Sequence, residues 1–261
     1  MLVRSFTVIV VACLALTASD RTFADSPLIR QVGVDHALKT SEAVVVDGSL
    51  ALVHTTQILP IDDQGAVLHP GRLMEQTEAV LDRLESTLKA AHSGLDQLIK
   101  VNVYLARAED LAPFQEAFAS RLGDKGHPAI SQVVGRLAKP KALVALDAVA
   151  AAPALLEGRA VQGDSSKGFA VLPVGPRVYI SGQAEPDENL ARATAKTLKG
   201  LDATLRFLAL DKARVVQLKA FVQPITSLAE AEREIVSFFG EGAVPPLVFV
   251  EWTSGKTVPI E

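Results

Sequence analysis

The chain carries one pattern of apolar residues twice, and this repeat constrains its fold more than any other feature. The first-half positions are Leu81, Leu84, Leu88 and Leu105, and the second-half positions are Leu198, Leu201, Leu205 and Val222. Each second-half residue has a number 117 higher than its counterpart. Because the offset stays constant across two successive elements, it predicts a duplicated domain.

A second set of apolar residues has the same offset. Leu111, Phe114, Phe118 and Leu122 correspond to Leu228, Ala231, Ile235 and Phe239, and Pro128 corresponds to Pro245. In both sets the apolar residues recur at the three-and-four spacing of one helical face. Each half is therefore predicted to contain two amphipathic helices at matching positions.

Strand patterns surround these helices. Residues 41–57 form two β-type runs separated by Asp47 and Gly48, a pair that favours a hairpin. Residues 99–105 alternate apolar and polar side chains, which is typical of a strand with one buried face. In the second half, residues 177–183 are predicted to form the outer strand of the equivalent hairpin. The predicted order in the first half is β, β, α, β, α, β, β.

This order predicts an α+β protein of two tandem domains, each a mostly antiparallel sheet covered on one face by two helices. The first domain is placed at residues 31–155, a linker at 156–167 and the second domain at 168–261. Helices on one face leave the other face of each sheet to be buried elsewhere. The other domain or another chain is the expected partner.

The first 24 residues are typical of an export signal. A single Arg4 precedes an apolar run, and small residues near Ala24 suit signal-peptidase cleavage. Export to the periplasm or outside the cell is therefore expected, with no stable membrane span after cleavage. A membrane anchor is the first alternative, and lipidation at Cys13 is the second.

Charge and residue types exclude several classes of function. The net charge is −4, the pI is about 5.8, and lysines and arginines form no cluster, so a nucleic-acid partner is not expected. Cys13 is the only cysteine, which leaves no disulfide or cysteine ligand after cleavage. The five histidines show no ligand spacing, so neither a metal nor another cofactor is predicted.

Three segments carry a family resemblance. They are Ser181 to Gln183 (SGQ), Glu75 to Thr77 (EQT) and the stretch LDQLIKVNVYL from Leu95. Together with the element order they resemble the RidA/YjgF reactive intermediate deaminase family, some of whose members are labelled L-PSP endoribonucleases. The resemblance implies a chorismate-mutase-like fold, a homo-oligomer with clefts between subunits, and a small-molecule ligand. The acidic balance makes ribonuclease activity the least expected function.

The chain departs from the family pattern at the residue that would bind a substrate carboxylate. In the family, an arginine in a Pro-Ala-Arg-Ser segment binds this group through its planar guanidinium. The matching segments here place Ile130 in the first copy and Leu247 in the second. An apolar side chain offers no compensating partner to a desolvated anion. Packing is the alternative role of both residues.

The resemblance also implies candidate site residues. Asp147 and Glu261 are candidate catalytic acids that would orient water, with solvated strand-end acids as the alternative. The candidate substrate-binding residues are Thr55, Thr56, Gln57, Gln115, Ile130, Ser181, Gly182, Gln183 and Leu247. The glutamines have an alternative role as partners of backbone groups at the turns.

Two hypotheses of function follow. In the first, an exported family member binds a small molecule in inter-domain or inter-subunit clefts and hydrolyses an imine or enamine to a carbonyl and ammonia. In the second, the chain is a non-catalytic ligand-binding or assembly module, because both copies lack the arginine. Whether the chain is an enzyme stays open. An arginine from elsewhere, Arg72, Arg136 or Arg177, pointing into a cleft would favour a carboxylate ligand.

Overall fold

The computed structural model describes residues 28–152, 168–240, 244–253 and 257–261. The predicted export signal at 1–24, with Cys13, and the predicted linker at 156–167 lie outside the described residues.

The described part of the first half contains six strands and two helices. The elements up to residue 152 are β1 (Ile29–Asp35), β2 (Thr40–Val46), β3 (Ala51–Thr55), α1 (Leu73–Ala90), β4 (Leu98–Leu105), α2 (Leu111–Leu122), β5 (Ala129–Val134) and β6 (Val144–Ala152). The later elements are β7 (Phe169–Leu172), α3 (Leu190–Phe207), β8 (Leu218–Val222), α4 (Leu228–Phe239) and β9 (Leu247–Glu251).

A large sheet dominates the first half. Its strand order is β1-β2-β5-β4-β6-β3-β7. The pairs β2–β5 and β5–β4 are parallel, and the other neighbours are antiparallel. Helices α1 and α2 pack against one face through a shared apolar core. The mixed sheet with helices on one face confirms the predicted α+β fold class.

The sequence of α1 explains why it packs on the sheet. Val80, Leu84 and Leu88 lie on one stripe and are fully buried. Burying each of these side chains contributes about 1.5–3 kcal/mol. Glu75 lies in the first turn and Lys89 lies in the last turn, where their charges interact favourably with the helix dipole.

The two halves share element positions and strand register. Helices α3 and α4 begin and end 117 residues after α1 and α2, and the short 3-10 turns Leu95–Gln97 and Ala108–Asp110 recur at Lys212–Arg214 and Ile225–Ser227. Strands β8 and β9 are parallel, as β4 and β5 are. Val101 lies opposite Ile130, and the residues 117 positions later, Leu218 and Leu247, lie opposite each other.

The predicted hairpin of residues 41–57 is wrong. Strand β2 pairs with β1, whereas β3 lies between β6 and β7. The missed strand β1 turns into β2 at Asp35, whose carboxylate accepts hydrogen bonds from the backbone N–H groups of Ala37 and Leu38. This second turn competes with the turn at Asp47 and Gly48, and β1 takes the partner position on β2.

The second half also differs from its predicted sheet. Residues 177–183 are not a strand, and the sheet consists of the parallel pair β8–β9 with one antiparallel bridge between Val222 and Ile260. A mostly antiparallel second sheet is therefore wrong for the described residues. The reason is that β7, at the start of the predicted second domain, joins the first sheet by pairing with β3.

The two sheets contact each other through the faces that their helices leave bare. Tyr104 and Ala145 of the large sheet pack with Val248 and Val250 of β9, and Phe221 of β8 adds to the cluster. This face-to-face contact places polar residues of β4, β6 and β8 in the space between the sheets.

Candidate functional site

A buried carboxylate lies at the centre of the contact between the sheets. Asp147 of β6 is 0% exposed. Its oxygen atoms accept hydrogen bonds from the Asn102 amide at 2.9 Å and from the Tyr104 hydroxyl at 2.6 Å. Both donors lie on β4, where alternate residues point to the same face. The pleat of the strand therefore directs two donors at one carboxylate.

Lys219 of β8 brings a positive charge to this carboxylate from the other sheet. Its Nζ lies 3.4 Å from Asp147 Oδ1 and 3.0 Å from the Tyr104 hydroxyl oxygen. Burial raises the pKa of Tyr104, and the negative charge of Asp147 raises it further. Tyr104 is therefore a neutral donor, and Lys219 is the cation that balances Asp147.

A second amine faces the same space. Lys100 donates to the Ser131 hydroxyl at 2.6 Å. Burial lowers the pKa of Lys100, and the charge of Lys219 lowers it further, while Asp147 opposes both effects. Two amines and one carboxylate thus share the face, which gives it a net positive character.

His54 of β3 is a buried imidazole beside this group. Neither of its ring nitrogens has a hydrogen-bond partner among the described residues. Burial lowers the pKa of His54, Arg177 and Lys219 act in the same direction, and Gln217 and Asp147 act against it. The ring is therefore neutral near pH 7 and can accept or donate a hydrogen bond.

A cavity of about 660 Å³ opens next to His54 and Lys219. It lies between residues 176–183, β8 and the inner faces of α3 and α4. Its main polar lining residues are His54, Arg177, Gln183, Gln217, Lys219 and Glu261. Leucines of α3 and phenylalanines of α4 supply apolar walls. A few polar groups on an apolar cavity are typical of a small-molecule site.

Of the three arginines singled out from the sequence, Arg177 is the one that lines the cavity. One of its terminal nitrogens donates to the Leu50 carbonyl oxygen, and its Nε is buried without a partner among the described residues. Arg72 instead contacts His69 and Glu75. Arg136 lies beside Glu251, with 73% of its side chain exposed.

Four of the predicted site residues meet at this cavity. Ser181, Gly182, Gln183 and Glu261 all line it. A Cβ atom added at Gly182 would lie 1.7 Å from a Glu261 carboxylate oxygen, so a residue with a side chain would displace that carboxylate. The backbone of Glu261 exchanges hydrogen bonds with Phe221 at 2.8 and 3.0 Å. Phe221 corresponds to Tyr104, which lies opposite Ala145. Glu261 thus occupies the register of Ala145 and not that of Asp147.

The first-copy turn residues have structural contacts instead. The Thr55 hydroxyl accepts from the Ala148 N–H, the Thr56 hydroxyl donates to the Leu247 carbonyl, and the Gln57 amide donates to the Phe249 carbonyl, each at 2.9 Å. The Thr56 and Gln57 bonds join the end of β3 to β9, whereas the Thr55 hydroxyl bonds to β6 and the Thr55 carbonyl accepts from the Gln217 amide. The three residues therefore connect the two halves and do not line the cavity.

The remaining candidates lie away from the cavity. Ile130 packs against the core under α1 and α2, and Leu247 packs against the core under α3 and α4. Gln115 is a half-exposed residue of α2. Asp147 contacts the cavity lining through Lys219.

Sequence reasoning missed His54, Tyr104, Gln217 and Lys219. The sequence contained a recognisable pattern for one of them. Lys219 lies 117 residues after Asn102, so the repeat itself shows a neutral donor replaced by a cation on the bare face of the strand. The others become recognisable only when the sheets are brought together.

In the described ranges, no group of three or more His, Cys, Asp or Glu side chains is placed to hold a metal ion. A search of the same residues for a helix long and apolar enough to cross a bilayer also found none.

Comparison with known proteins gives one family model and several sequence relatives. The family model described as endoribonuclease L-PSP matches residues 35–152. A RutC family protein from Pyrococcus horikoshii is 33% identical over 92 residues, which are 35% of this chain and 72% of that protein. A RutC family protein from Drosophila melanogaster is 36% identical over 91 residues, covering 35% of this chain and 63% of the relative.

Among solved structures, a Rid family protein from Yersinia pestis is 21% identical, and the match covers 48% of this chain and 99% of that one with a TM-score of 0.42. The sequence relationship to the Pyrococcus protein, which spans most of that protein's length, agrees with the family model. This chain therefore belongs to the RidA/YjgF family.

Proposed function

We propose that this chain consists of two copies of the RidA/YjgF unit and binds a small, largely apolar carboxylate in the cavity beside Arg177 and Lys219. The tandem arrangement is supported by the 117-residue offset of α1, α2 and the 3-10 turns, and the domain limits remain 31–155 and 168–261. The observation that carries the binding proposal is the position of Arg177 on the cavity wall.

Charge explains why the ligand would be an anion. The cavity wall includes three cationic residues, Arg177, Arg214 and Lys219, and two acids, Asp211 and Glu261. The Arg177 Nε is buried without a partner in the part of the chain that the structure describes. A buried unsatisfied N–H group costs about 1–3 kcal/mol, which an acceptor oxygen of a ligand would recover. Arg177 would thus replace the arginine that Ile130 and Leu247 do not provide.

The volume and the apolar walls of the cavity indicate the size and the apolar body of the ligand. About 660 Å³ is within the range of sites for small molecules. The leucine side chains of α3 and the phenylalanines of α4 favour an aliphatic or aromatic body. A carboxylate with an apolar tail of modest size fits both parts of the wall.

For catalysis, the structure favours Glu261 over Asp147. Glu261 lines the cavity, whereas Asp147 is fully enclosed by Asn102, Tyr104 and Lys219. In hydrolysis of an imine, Glu261 would accept a proton from the attacking water, and the substrate nitrogen would leave as ammonia. Asp147 would then hold Lys219 in position. Ligand binding without turnover is the alternative, supported by the absence of the family arginine at Ile130 and Leu247.

The binding proposal is tested with a matched pair of ligands. Thermal unfolding is measured with an aliphatic 2-oxo acid and with its primary amide, for the wild type, Arg177→Gln and, as a control, Arg72→Gln. We expect the acid alone to raise the melting temperature of the wild type and of Arg72→Gln, and Arg177→Gln to lose the shift. Equal shifts with acid and amide would overturn the proposal.

Ammonia release distinguishes a deaminase from a protein that binds the ligand without turnover. The chain is mixed with a freshly generated imine of an apolar amino acid, and release is compared with buffer. Turnover that is lost in Glu261→Gln but kept in Arg72→Gln supports catalysis. No release above buffer, together with a retained thermal shift, supports a binding protein without deaminase activity.

We also propose export, with residues 1–24 as the signal. The apolar run after Arg4 supports this proposal, because the run is shorter than a segment that spans a membrane. Mass spectrometry of the chain recovered from the periplasm or medium is expected to show loss of these residues. An intact N-terminus in a cytoplasmic fraction would contradict export.

A further inference from the structure

Two imidazole rings meet at the turn of the β1–β2 hairpin. His36 lies in the turn, and His127 lies in the segment that leads into β5. Their ring centroids are 5.3 Å apart and their planes meet at 84°, so the edge of one ring faces the other. Uncharged aromatic rings favour this arrangement. The contact therefore stabilises a hairpin that is docked on the start of β5 while both rings are neutral.

Polar contacts complete this junction. The Ser41 N–H donates to the Pro128 carbonyl at 3.0 Å, and the Ser41 hydroxyl donates to the His127 carbonyl at 2.7 Å. The Lys39 ammonium group donates to the Asp124 carboxylate at 3.0 Å. We call the following group of residues the turn junction: His36, Lys39, Ser41, Asp124 and His127.

The turn junction lies where the hairpin joins the rest of the large sheet. Among the residues described, β2 pairs with β5 at one position, Ser41 with Ala129. In contrast, β5 pairs with β4 at every position from Ala129 to Val134. Separation of β2 from β5 would thus leave β5 bound to β4. An element with few pairing contacts to its neighbour can open locally while the domain stays folded.

The charge of the turn junction depends on its imidazoles. Burial lowers the pKa of His127, the charges of His36 and Lys39 lower it further, and the charge of Asp124 opposes these effects. A proton on His127 therefore disfavours the docked hairpin. Asp35, at the end of β1, is also charged, and its carboxylate accepts hydrogen bonds from two backbone N–H groups of the turn.

Protonation would change the balance of charge at this point. With neutral imidazoles, the ammonium group of Lys39 and the carboxylate of Asp124 form an ion pair. Protonation of both rings adds two positive charges with the ring centroids 5.3 Å apart. Like charges at such a distance repel each other. The same ring contact thus favours docking when the rings are neutral and opposes it when they are charged.

We propose that the β1–β2 hairpin is an acid-sensitive element, which the turn junction keeps on β5 at neutral pH and which protonation of His36 and His127 releases. The rest of the large sheet stays folded. The released hairpin binds protons more readily than the docked one, so release begins as the pH falls below about 6.5, the usual pKa of an imidazole. Each further pH unit increases the open fraction by up to about tenfold per proton taken up.

Release would change the bare face of the large sheet. Side chains at paired positions of adjacent strands point to the same face, which places Ser41 and Ala129 on the face of Lys100. Tyr104, four residues further along β4, shares this face and packs against β9. The hairpin extends the face by two strands, and release would remove them from any contact made there. The proposal is independent of whether the cavity binds a carboxylate.

Hydrogen exchange of the full chain measures the release. A two-stranded hairpin is marginally stable by itself, so its backbone amides exchange once it leaves β5. Deuterium uptake is compared by mass spectrometry at about pH 7.5 and about pH 5.5, with correction for the intrinsic exchange rate at each pH. We expect the protection of residues 29–46 to fall about tenfold at the lower pH while α1 keeps its protection. An equal loss in both segments would indicate global unfolding and contradict the proposal.

Histidine variants assign the effect to the turn junction. His36→Gln changes an exposed side chain, and His127→Gln changes its half-buried neighbour. The matched control is His92→Asn, which removes an imidazole outside the junction, because asparagine tolerates the left-handed backbone at this position. We expect each single variant to weaken the pH dependence of hairpin protection, the double variant to abolish it, and the control to match the wild type. An unchanged pH dependence in the double variant, or constant protection in the wild type, would overturn the proposal.

Salt provides a measurement that needs no variant. At about 1 M salt the Debye length is about 3 Å, so repulsion within the turn junction is screened. We expect the wild-type hairpin at about pH 5.5 to regain part of its protection in about 1 M sodium chloride, with the protection of α1 unchanged. Hairpin protection that does not respond to salt at this pH would contradict repulsion between the two imidazoles.

Discussion

At the scale of single residues, the contact between Asp147 and Lys219 explains how a polar group is tolerated between two sheets. The carboxylate is enclosed, and each of its oxygens has a donor. Removing one member of a buried charge pair leaves the other without compensation. The pair therefore holds the two sheets in one relative position.

Replacing this carboxylate tests the role of the pair. We expect Asp147→Asn to lower the free energy of unfolding by about 2–3 kcal/mol, since Lys219 is left without its counter-charge and is partly exposed to solvent. Lys219→Met should cost at least as much, because it leaves Asp147, which is 0% exposed, without a cation and with only the neutral donors Asn102 and Tyr104. Urea unfolding measures both. A change below about 0.5 kcal/mol for Asp147→Asn would show that the pair is not stabilising.

The buried His54 leads us to expect a free energy of unfolding that depends on pH. Burial lowers its pKa in the folded chain below the usual 6.5, so the unfolded chain binds the proton more readily. The contribution of neutral His54 to the free energy of unfolding is fully present above about pH 6.5. It decreases as the pH falls below that value, by up to about 1.4 kcal/mol per pH unit. Urea unfolding at several pH values measures the slope.

The pKa of His127 is also lowered by burial, so two variants separate the contributions. His54→Leu should flatten the decrease in stability on the acid side, whereas His127→Gln should leave most of it. An unchanged slope in His54→Leu would contradict a neutral buried His54.

At the scale of elements, the repeat positions were predictable and the strand pairings were not. The apolar stripes of α1 and α3 are local patterns, and both helices lie where the leucines placed them. The hairpin at Asp47 and Gly48 failed because the choice between β1 and β3 as the partner of β2 depends on distant strands. The same reason explains why residues 177–183 satisfied a strand pattern and yet form no strand.

Matched positions in the two helices give a paired prediction. Leu81 and Leu198 differ by 117 residues and are 1% and 4% exposed. Leu81→Ala should cost about 3–5 kcal/mol in a closely packed core. Leu198→Ala should cost less, because Leu198 already lines the cavity. Equal losses of unfolding free energy would indicate that the cavity is closed in solution.

At the scale of the whole molecule, the two halves differ within the described residues. The first half has the large sheet and a closely packed core, and the second half has a two-stranded sheet and the cavity. The acids of the predicted site separate accordingly, with Asp147 between the sheets and Glu261 at the cavity. Sequence patterns proposed Ser181, Gly182, Gln183 and Glu261, which line the cavity, but the convergence of Arg177 and Lys219 required the fold.

The site proposed for a carboxylate is thus built mainly by the second half, with His54 contributed by the first. Arg177 offers an N–H that has no partner among the described residues, Lys219 adds a second charge, and the helices supply an apolar wall. We propose that this cavity replaces the family's arginine site. Ile130 and Leu247 would then be free to serve as packing residues in the two cores.

The direct test is a crystal structure of the chain soaked with a bromobenzoate, in which the anomalous signal of bromine locates the ligand. We expect a bromine peak between α3 and residues 177–183, with the carboxylate within hydrogen-bonding distance of the Arg177 guanidinium. A peak beside Ile130 or Leu247, or a cavity that stays empty while other sites are filled, would contradict this account.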